Sequence, residues 1–164
     1  MKRAYPIGAE LFENGDVHFR LWAPHASAVA VQLELPKNAL LIDLAPEGDG
    51  YFSGRAAELG GGTRYRYLLD GQLLCPDPAS RFQPEGPHGP SEIVDPRRFT
   101  WSDTRWLGVQ RSGQVLYEMH IGTFTKKGTW RAATEHLPYL AELGITVIEL
   151  MPIADFPGTF GWGY

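Results

Sequence analysis

The sequence predicts an all-β domain followed by one β-α-β unit of a larger parallel α/β domain. Three observations predict this fold class. Up to about residue 95, short alternating apolar runs are separated by Gly, Asn, Asp and Pro, as in a β-sandwich. A proline-rich stretch without periodicity follows. From residue 114 onward, two apolar runs flank a segment with helical spacing. The predicted organisation is therefore a sandwich over 1–95, a packed connector over 96–113 and the start of an α/β domain over 114–164.

The sandwich strands are predicted from three runs in which every second residue is apolar, the period of a half-buried strand. Asn14-Gly15 and Asp70-Gly71 are pairs that readily take the positive φ angles of tight hairpin turns, and each adjoins one of these runs. No helical period occurs in this part of the chain. The apolar positions are Val17, Phe19 and Leu21; Val29, Val31, Leu33 and Leu35; and Tyr65, Tyr67 and Leu69.

The connector follows a change of composition that begins at Cys75 and continues to about Arg111. Repeated prolines there remove backbone donors that a β-ladder would need. Disordered linkers are usually poor in aromatic residues, so the aromatic content predicts a connector that packs down and joins the two domains rigidly. The aromatic residues are Phe82, Phe99, Trp101 and Trp106.

The second domain is predicted as strand, helix and strand. The run 115–121 has the length and apolar content of a strand, and the run 145–151 is continuous enough for a strand buried on both faces. Between them, Thr129 is suited to cap a helix and Gly144 to end it. Pro138 predicts a kink or two short helices, because its ring clashes with the carbonyl of the preceding turn. The apolar helix positions are Trp130, Ala133, Leu137 and Leu140.

Such a β-α-β unit buries its faces only against further units of the same kind. The 51 residues from Gln114 to Tyr164 fall far short of the roughly 200 that an eight-fold barrel needs. We therefore expect the second domain to be incomplete in this chain.

Composition excludes several classes of function. A formal charge of −4 gives no basic footprint for nucleic acid or anionic lipid, and no window approaches a membrane span. The single cysteine, Cys75, cannot form an internal disulfide, which favours a cytoplasmic protein. His18, His25 and His88 show no metal-binding spacing, so no metal site is predicted.

Several segments of the chain together resemble one family of enzymes. The second half resembles the opening of the catalytic barrel in the α-amylase superfamily of glycoside hydrolases, and within it the maltooligosyltrehalose trehalohydrolases. The first half resembles the sandwich and connector that precede this barrel in branching, debranching and trehalohydrolase members. The matching segments are Phe19-Arg20-Leu21-Trp22-Ala23-Pro24, Asp77-Pro78-Ala79-Ser80-Arg81-Phe82-Gln83-Pro84, Tyr117-Glu118-Met119-His120-Ile121-Gly122-Thr123-Phe124, Gly128-Thr129-Trp130, His136-Leu137-Pro138-Tyr139-Leu140, Glu149-Leu150-Met151-Pro152, Phe156-Pro157-Gly158 and Gly161-Trp162-Gly163-Tyr164.

The resemblance implies an immunoglobulin-like sandwich followed by the start of a (β/α)8 TIM barrel. It also implies a cofactor-free retaining hydrolase that cleaves the α-1,4 bond next to the terminal trehalose of maltooligosyltrehalose, releasing trehalose and a maltooligosaccharide. The superfamily's three catalytic carboxylates come from later strands, so none is assigned here and the chain alone is expected to be inert. Tyr164 matches the position whose ring stacks on the sugar at the cleavage point, and Trp162 is the second candidate substrate-binding residue.

Two alternatives remain open from the sequence: a sibling branching or debranching enzyme, and a carbohydrate-binding module without catalysis. Four other residues invite functional interpretation. His120 is expected to be a hydrogen-bonded interior group, and Asp155 a turn residue. Glu118 and Glu149 are expected to pair with cations or to face the site, and without a distance they cannot be assigned as a catalytic pair.

Overall fold

The computed structural model describes residues 2–34, 39–154 and 156–158. The chain divides into two compact units, Met1–Thr100 and Trp101–Tyr164, called unit 1 and unit 2 below. Each unit has its own architecture and is described by itself.

The described residues of unit 1 form eight strands in one antiparallel sheet. The strand order is β1-β2-β5-β4-β3-β6-β7, and the short β8 also pairs with β6. A 3-10 turn at Pro96–Arg98 follows, capped by the Asp95 carboxylate, which accepts a hydrogen bond from the Arg97 backbone N–H. The strands are β1 (Gly8–Leu11), β2 (Val17–Trp22), β3 (Val29–Glu34), β4 (Ala39–Gly48), β5 (Tyr51–Ala56), β6 (Arg64–Leu69), β7 (Leu73–Cys75) and β8 (Ser91–Glu92).

The long strand β4 makes the sheet curl. Its first part, residues 39–44, pairs with β3, whereas residues 45–48 pair with β5 and contain a register shift between Pro46 and Gly48. One strand therefore serves both halves of the sheet, which fold over each other. The Phe19 ring on β2 meets the Tyr65 ring on β6 edge to face, with centroids 5.1 Å apart. The predicted all-β domain is confirmed in the form of this curled antiparallel sheet.

The core lies between the two halves and follows the predicted alternation. A fully buried Val, Leu, Ile or Phe side chain contributes roughly 1.5–3 kcal/mol to the free energy of folding. Leu35, the last apolar position predicted for the second run, lies outside the described residues. The buried cluster contains Val17, Phe19, Leu21, Val29, Val31, Leu33, Leu44, Phe52, Tyr65, Tyr67 and Ile93.

One carboxylate, that of Asp77, is buried beside this core and is only 3% exposed. Its Oδ2 accepts a hydrogen bond from the Tyr65 hydroxyl at 2.6 Å, and its Oδ1 accepts one from the Ala79 backbone N–H at 2.7 Å. The Asp77 backbone N–H in turn donates to the Ser91 hydroxyl at 2.9 Å. Burial raises the pKa of Asp77 above its ordinary value, although the hydrogen bond from Tyr65 opposes the shift. This network joins the segment after β7 to the strand β6.

The two predicted turns differ in their geometry. Asp70 and Gly71 both have positive φ, 51° and 67°, and are the central residues of a β-turn closed by a hydrogen bond from the Gln72 N–H to the Leu69 carbonyl at 3.0 Å, so the predicted turn is present in the three-residue connection from β6 to β7. The hairpin between β1 and β2 also forms, but only Gly15 has positive φ there, at 85°. Asn14 does not join it, because its side chain instead bonds the backbone N–H and carboxylate of Asp16. The expectation of a positive φ at both residues of this pair is therefore wrong.

The aromatic residues of the predicted connector remain largely at the surface. The rings of Phe82, Phe99, Trp101 and Trp106 are 50%, 63%, 68% and 67% exposed. A rigidly packed connector over 96–113 therefore stays a prediction.

In the described part of unit 2, the chain forms one β-α-β crossover with a parallel pair of strands. Val147, Ile148, Glu149 and Leu150 pair in register with Leu116, Tyr117, Glu118 and Met119. Residues 121–124 form one helical turn after the first strand, where the sequence predicted a loop. The elements are β9 (Leu116–Met119), α1 (Ile121–Phe124), α2 (Trp130–Glu135), α3 (Leu137–Glu142) and β10 (Val147–Leu150).

Pro138 divides the helical segment as predicted, since α2 ends at Glu135 and α3 begins at Leu137. The proline lies in the first turn of α3, where its missing N–H removes no helical hydrogen bond. Thr129 caps α2 by accepting from the Ala132 backbone N–H at 3.3 Å, and Gly144, with φ of 94°, ends α3. These three sequence signals are confirmed.

The prediction that the second strand is buried on both faces is wrong for the described residues. Glu149 and Leu150 are exposed, and on β9 only Met119 is buried. Two parallel strands and three short helices supply too little surface to cover both faces. No helix in the described part of the chain combines the length and apolar sequence that a bilayer span requires.

Candidate functional site

The candidate site is a cleft at the carboxyl ends of β9 and β10. The strand ends are held together by a hydrogen bond from the Met151 backbone N–H to the Met119 carbonyl at 3.0 Å. In parallel α/β folds, ligands bind outside the carboxyl ends of the strands, because the loops that follow the strands meet there. The cleft has a volume of about 340 Å³, large enough for a sugar ring.

The described walls of the cleft are mostly apolar and aromatic. The Trp130 ring at the start of α2 is 52% exposed. Trp130 was predicted to lie on the packing face of a helix, and residues 151–154 were not predicted to belong to a site. In the sequence, only the position of residues 151–154 directly after a predicted strand indicates that they could line a cleft. The lining residues are His120, Ile121, Gly122, Trp130, Met151, Pro152, Ile153, Ala154 and Phe156.

His120 is the only titratable side chain among these lining residues. Its Nδ1 atom is buried and has no hydrogen-bond partner within the described part of the chain. The hydrogen bond expected for this histidine is therefore not found at Nδ1 within the described residues. The imidazole lies against the first turn of α1, where a Cβ on Gly122 would approach the His120 Cε1 atom to 2.8 Å. Only glycine at position 122 allows this close approach.

The two strand glutamates do not line the cleft. Glu118 and Glu149 are partners in the parallel register, and both are exposed. Among the described residues neither makes an ion pair, so the expected pairing with a cation is not found. Cleavage of a glycosidic bond needs two positioned carboxyl groups, and the described lining supplies none. The described cleft can bind a ligand with an apolar face.

The two substrate-binding residues expected from the sequence, Trp162 and Tyr164, lie outside the described residues, as does Asp155. No group of three His, Cys, Asp or Glu side chains that could hold a metal occurs in the ranges the structure describes. The described part of the site therefore consists of an apolar cleft with one histidine.

Comparisons with known proteins give a consistent result along the whole chain. The malto-oligosyltrehalose trehalohydrolase of Saccharolobus solfataricus is 46% identical over 158 residues, which cover 96% of this chain and 27% of that protein. The 1,4-alpha-glucan branching enzyme of Shewanella frigidimarina is 30% identical, covering 90% of this chain and 23% of the enzyme. This chain thus spans about a quarter of the length of the curated relatives it matches.

A similar fold occurs in a crystal structure of a Salmonella typhimurium protein, provisionally called an alpha amylase. It matches 99% of this chain with a TM-score of 0.88 and 45% identity, and the match covers 27% of that protein.

A family model describes unit 1. The model for carbohydrate-binding module 48, the isoamylase N-terminal domain, matches residues 6–96. This range contains every strand of the curled antiparallel sheet, from β1 to β8. The chain therefore belongs to the carbohydrate-binding module 48 family.

Proposed function

We propose that this chain is the carbohydrate-binding module and the first part of the catalytic (β/α)8 barrel of a maltooligosyltrehalose trehalohydrolase. The whole enzyme would cleave the α-1,4 bond next to the terminal trehalose of maltooligosyltrehalose. The observation that carries the proposal is the 46% identity over 96% of the chain to a protein of that name. The parallel β9–β10 pair, with a cleft at its carboxyl ends, supports the barrel part of the proposal.

The described residues of the cleft would bind and orient substrate rather than break bonds. A pyranose ring has an apolar face of axial hydrogens, which fits against flat aromatic surface such as the Trp130 ring. Excluding water there would strengthen the polar contacts made by other parts of the site. The retaining reaction itself needs a nucleophilic carboxylate and a general acid, which we assign to strands that follow this segment in the full-length enzyme.

Tyr164 is the residue we propose to stack on the sugar at the cleavage point, with Trp162 beside it. In the full-length enzyme, Tyr164→Ala should lower kcat/KM for maltooligosyltrehalose by roughly tenfold, about 1.4 kcal/mol of transition-state stabilisation. Tyr164→Phe keeps the flat ring and should retain most of the activity, which makes it the matched control. Equal losses in both variants would contradict a stacking role.

The product assay decides between this function and its nearest alternative. Trehalose released from maltooligosyltrehalose by the full-length enzyme would support the proposal. Glucan branching without trehalose would instead favour the branching-enzyme function, which the 30% identity to the Shewanella enzyme keeps in view. The 164-residue chain assayed alone should release no trehalose.

We infer a cytoplasmic location for this enzyme. The half-buried Cys75 side chain is a free thiol, and isolated free thiols are typical of proteins in reducing compartments. Fractionation of the source cells should place the protein in the cytosolic extract. Its recovery from the culture medium would contradict the inference.

A further inference from the structure

We propose that residues 2–7 form a strap across the β1–β2 hairpin of unit 1, and that protonation of His18 releases this strap. Residues 2–7, called the strap below, belong to no helix or strand, and most of them are exposed. Terminal segments with few buried apolar contacts can open without unfolding the rest of a domain. The proposal is independent of the proposed function, since no strap residue lines the cleft in unit 2.

Arg3 fastens the strap to both strands of the hairpin. One of its terminal nitrogens, Nη2, donates to the Gly8 carbonyl at 2.7 Å, and the other, Nη1, donates to the His18 carbonyl at 2.8 Å. Its Nε–H donates to the Tyr5 carbonyl at 3.0 Å, within the strap itself. Only 14% of the Arg3 side chain is exposed. Because a charge with so little access to water needs partners, these acceptors fix the guanidinium in place.

Glu10 of β1 holds the backbone of the strap. Its Oε1 accepts from the Ala4 backbone N–H at 2.8 Å, and its Oε2 accepts from the Tyr5 backbone N–H at 3.4 Å. The same carboxylate lies 3.7 Å from the Arg3 guanidinium. Glu10 is also the register partner of His18 across the hairpin. The attachments of the strap therefore converge on one cluster, which contains Arg3, Glu10 and His18.

This cluster requires His18 to be neutral. The Nδ1 atom of His18 lies 2.7 Å from Nη1 of Arg3. A guanidinium has donors only, so Nδ1 is the acceptor in this contact and the imidazole proton is on Nε2. Protonation of Nδ1 would remove the acceptor and bring two positive charges into contact. A protonated His18 therefore cannot keep Arg3 in its present position.

Charged groups of every neighbouring segment act on His18. Burial lowers its pKa, Arg3 of the strap and Arg55 of β5 lower it further, and Glu47 of β4 and Glu10 of β1 oppose the shift. Both carboxylates are already engaged by arginine side chains. Among the charged groups, Arg3 has the largest effect, and its repulsion is relieved when the strap leaves. The stabilisation of the strap is therefore fully present above the ordinary histidine pKa and is lost as pH falls through the lowered value.

Release of the strap would also change the contacts of two other arginine residues. Nη1 of Arg20 donates to the Pro6 carbonyl at 2.7 Å, and the Arg81 guanidinium lies 3.9 Å from the centroid of the Tyr5 ring. Both contacts end when the strap leaves. Acidification should therefore increase the positive charge that this side of unit 1 presents to solvent.

The test is hydrogen exchange of the strap amides in the 164-residue chain, followed by proton–nitrogen NMR at pH 7 and at pH 5. Rates are corrected for the pH dependence of exchange in an unstructured peptide. Protection of the Ala4 N–H should fall by roughly tenfold or more between the two pH values. The amide of Val31, a core residue on β3, should keep its protection, which shows that unit 1 remains folded.

Two variants isolate the role of His18. Asparagine supplies a neutral acceptor that does not titrate, so His18→Asn should keep the strap protected at both pH values. His25→Asn removes an exposed histidine outside the strap cluster and should behave like the wild-type chain. A loss of protection that originates in Glu10 rather than in His18 would appear in His18→Asn as well.

Three results would overturn the proposal. They are unchanged protection of Ala4 in the wild-type chain, the same loss in His18→Asn as in the wild type, and an equal loss at Val31, which would indicate unfolding of the whole unit. If His18→Asn failed to fold, Arg3→Ala would replace it. Its strap amides should be unprotected at both pH values, and protection that still changed with pH in this variant would contradict the role of the Arg3–His18 contact.

Discussion

The two buried tyrosines of β6 provide a sharp test of how the core of unit 1 is held together. Tyr65 and Tyr67 are 2% and 0% exposed, and both face the same core. The Tyr65 hydroxyl donates to the Asp77 carboxylate at 2.6 Å. Burial and the nearby Asp77 carboxylate raise the pKa of Tyr67 well above its ordinary value. The Tyr67 hydroxyl also lies near the Asp77 carboxylate and, more weakly than Tyr65, opposes the rise in the pKa of Asp77, but it makes no hydrogen bond of normal distance and angle in the described residues.

Replacing each tyrosine by phenylalanine removes one oxygen atom and changes little else. Tyr65→Phe removes a hydrogen bond to a buried carboxylate, so the free energy of unfolding should fall by roughly 1.5–3 kcal/mol. Tyr67→Phe removes only this weaker contact with Asp77, and the free energy of unfolding should change by no more than about 0.5 kcal/mol. The two variants share chemistry, strand and burial, so each serves as the control for the other.

Urea denaturation followed by far-UV circular dichroism at neutral pH measures both changes. The slope of the free energy against urea concentration should be the same in all three proteins, so that a shifted midpoint reports stability alone. Equal losses of stability in the two variants, or a larger loss in Tyr67→Phe, would refute the assignment of Asp77 and Tyr65 as the stabilising pair.

Three further predictions concern unit 1. Burial raises the folded-state pKa of Asp77 above its unfolded value. The stabilisation from this group is therefore fully present below the unfolded pKa and is lost as pH rises through the folded pKa. Asp77→Asn should remove this pH dependence from the measured free energy of unfolding. Gly50→Ala should lower the free energy of unfolding by roughly 1–3 kcal/mol because of the positive φ, and by more because the new Cβ would lie only 2.7 Å from a neighbouring proline. Gly15→Ala, also at positive φ but in open space, should lose only the contribution from φ. Equal melting temperatures of the two variants would contradict this difference. Burial lowers the pKa of His18, and the Arg3 guanidinium lowers it further. The free energy of unfolding should therefore fall as pH drops through the ordinary histidine pKa. Arg3→Ala should raise the His18 pKa in an NMR titration, and an unchanged value would disprove the contact.

Strands in which apolar and polar residues alternate could be predicted from the sequence. Strands without this alternation could not. β2, β3 and β6 alternate apolar and polar residues, and all three are present. β1 was missed because Glu10 occupies a core-facing position. Glu10 is 7% exposed there, since its carboxylate accepts from the Ala4 backbone N–H at 2.8 Å and lies 3.7 Å from Arg3. A pattern of apolar residues cannot register a carboxylate that is buried with its own partners.

β4 was missed for a different reason. Residues 39–44 pair with β3 and residues 45–48 pair with β5, and a register shift between Pro46 and Gly48 interrupts the period within the second part. Such an irregularity depends on partner strands far away in sequence, so local pattern carries no sign of it.

The two site residues predicted from the sequence, Trp162 and Tyr164, lie outside the described residues, so their assignment stays a prediction. The cleft at the carboxyl ends of β9 and β10 is lined by other residues, which the sequence did not single out as site residues. Trp130 was misassigned because helical spacing alone does not distinguish a packing residue from one at a helix start that faces a cleft. Only the three-dimensional structure shows the close approach of Gly122 to the His120 ring and the lack of a hydrogen-bond partner for Nδ1 among the described residues.

The proposed trehalohydrolase function can be tested by the products that the full-length enzyme forms from maltotriosyltrehalose. Trehalose and maltotriose should appear in equal amounts. The newly formed reducing end should be released first as the α-anomer in a proton NMR time course, because the proposed reaction retains configuration. Glucose or maltose as the main product, branched glucan, or first release of the β-anomer would contradict this function.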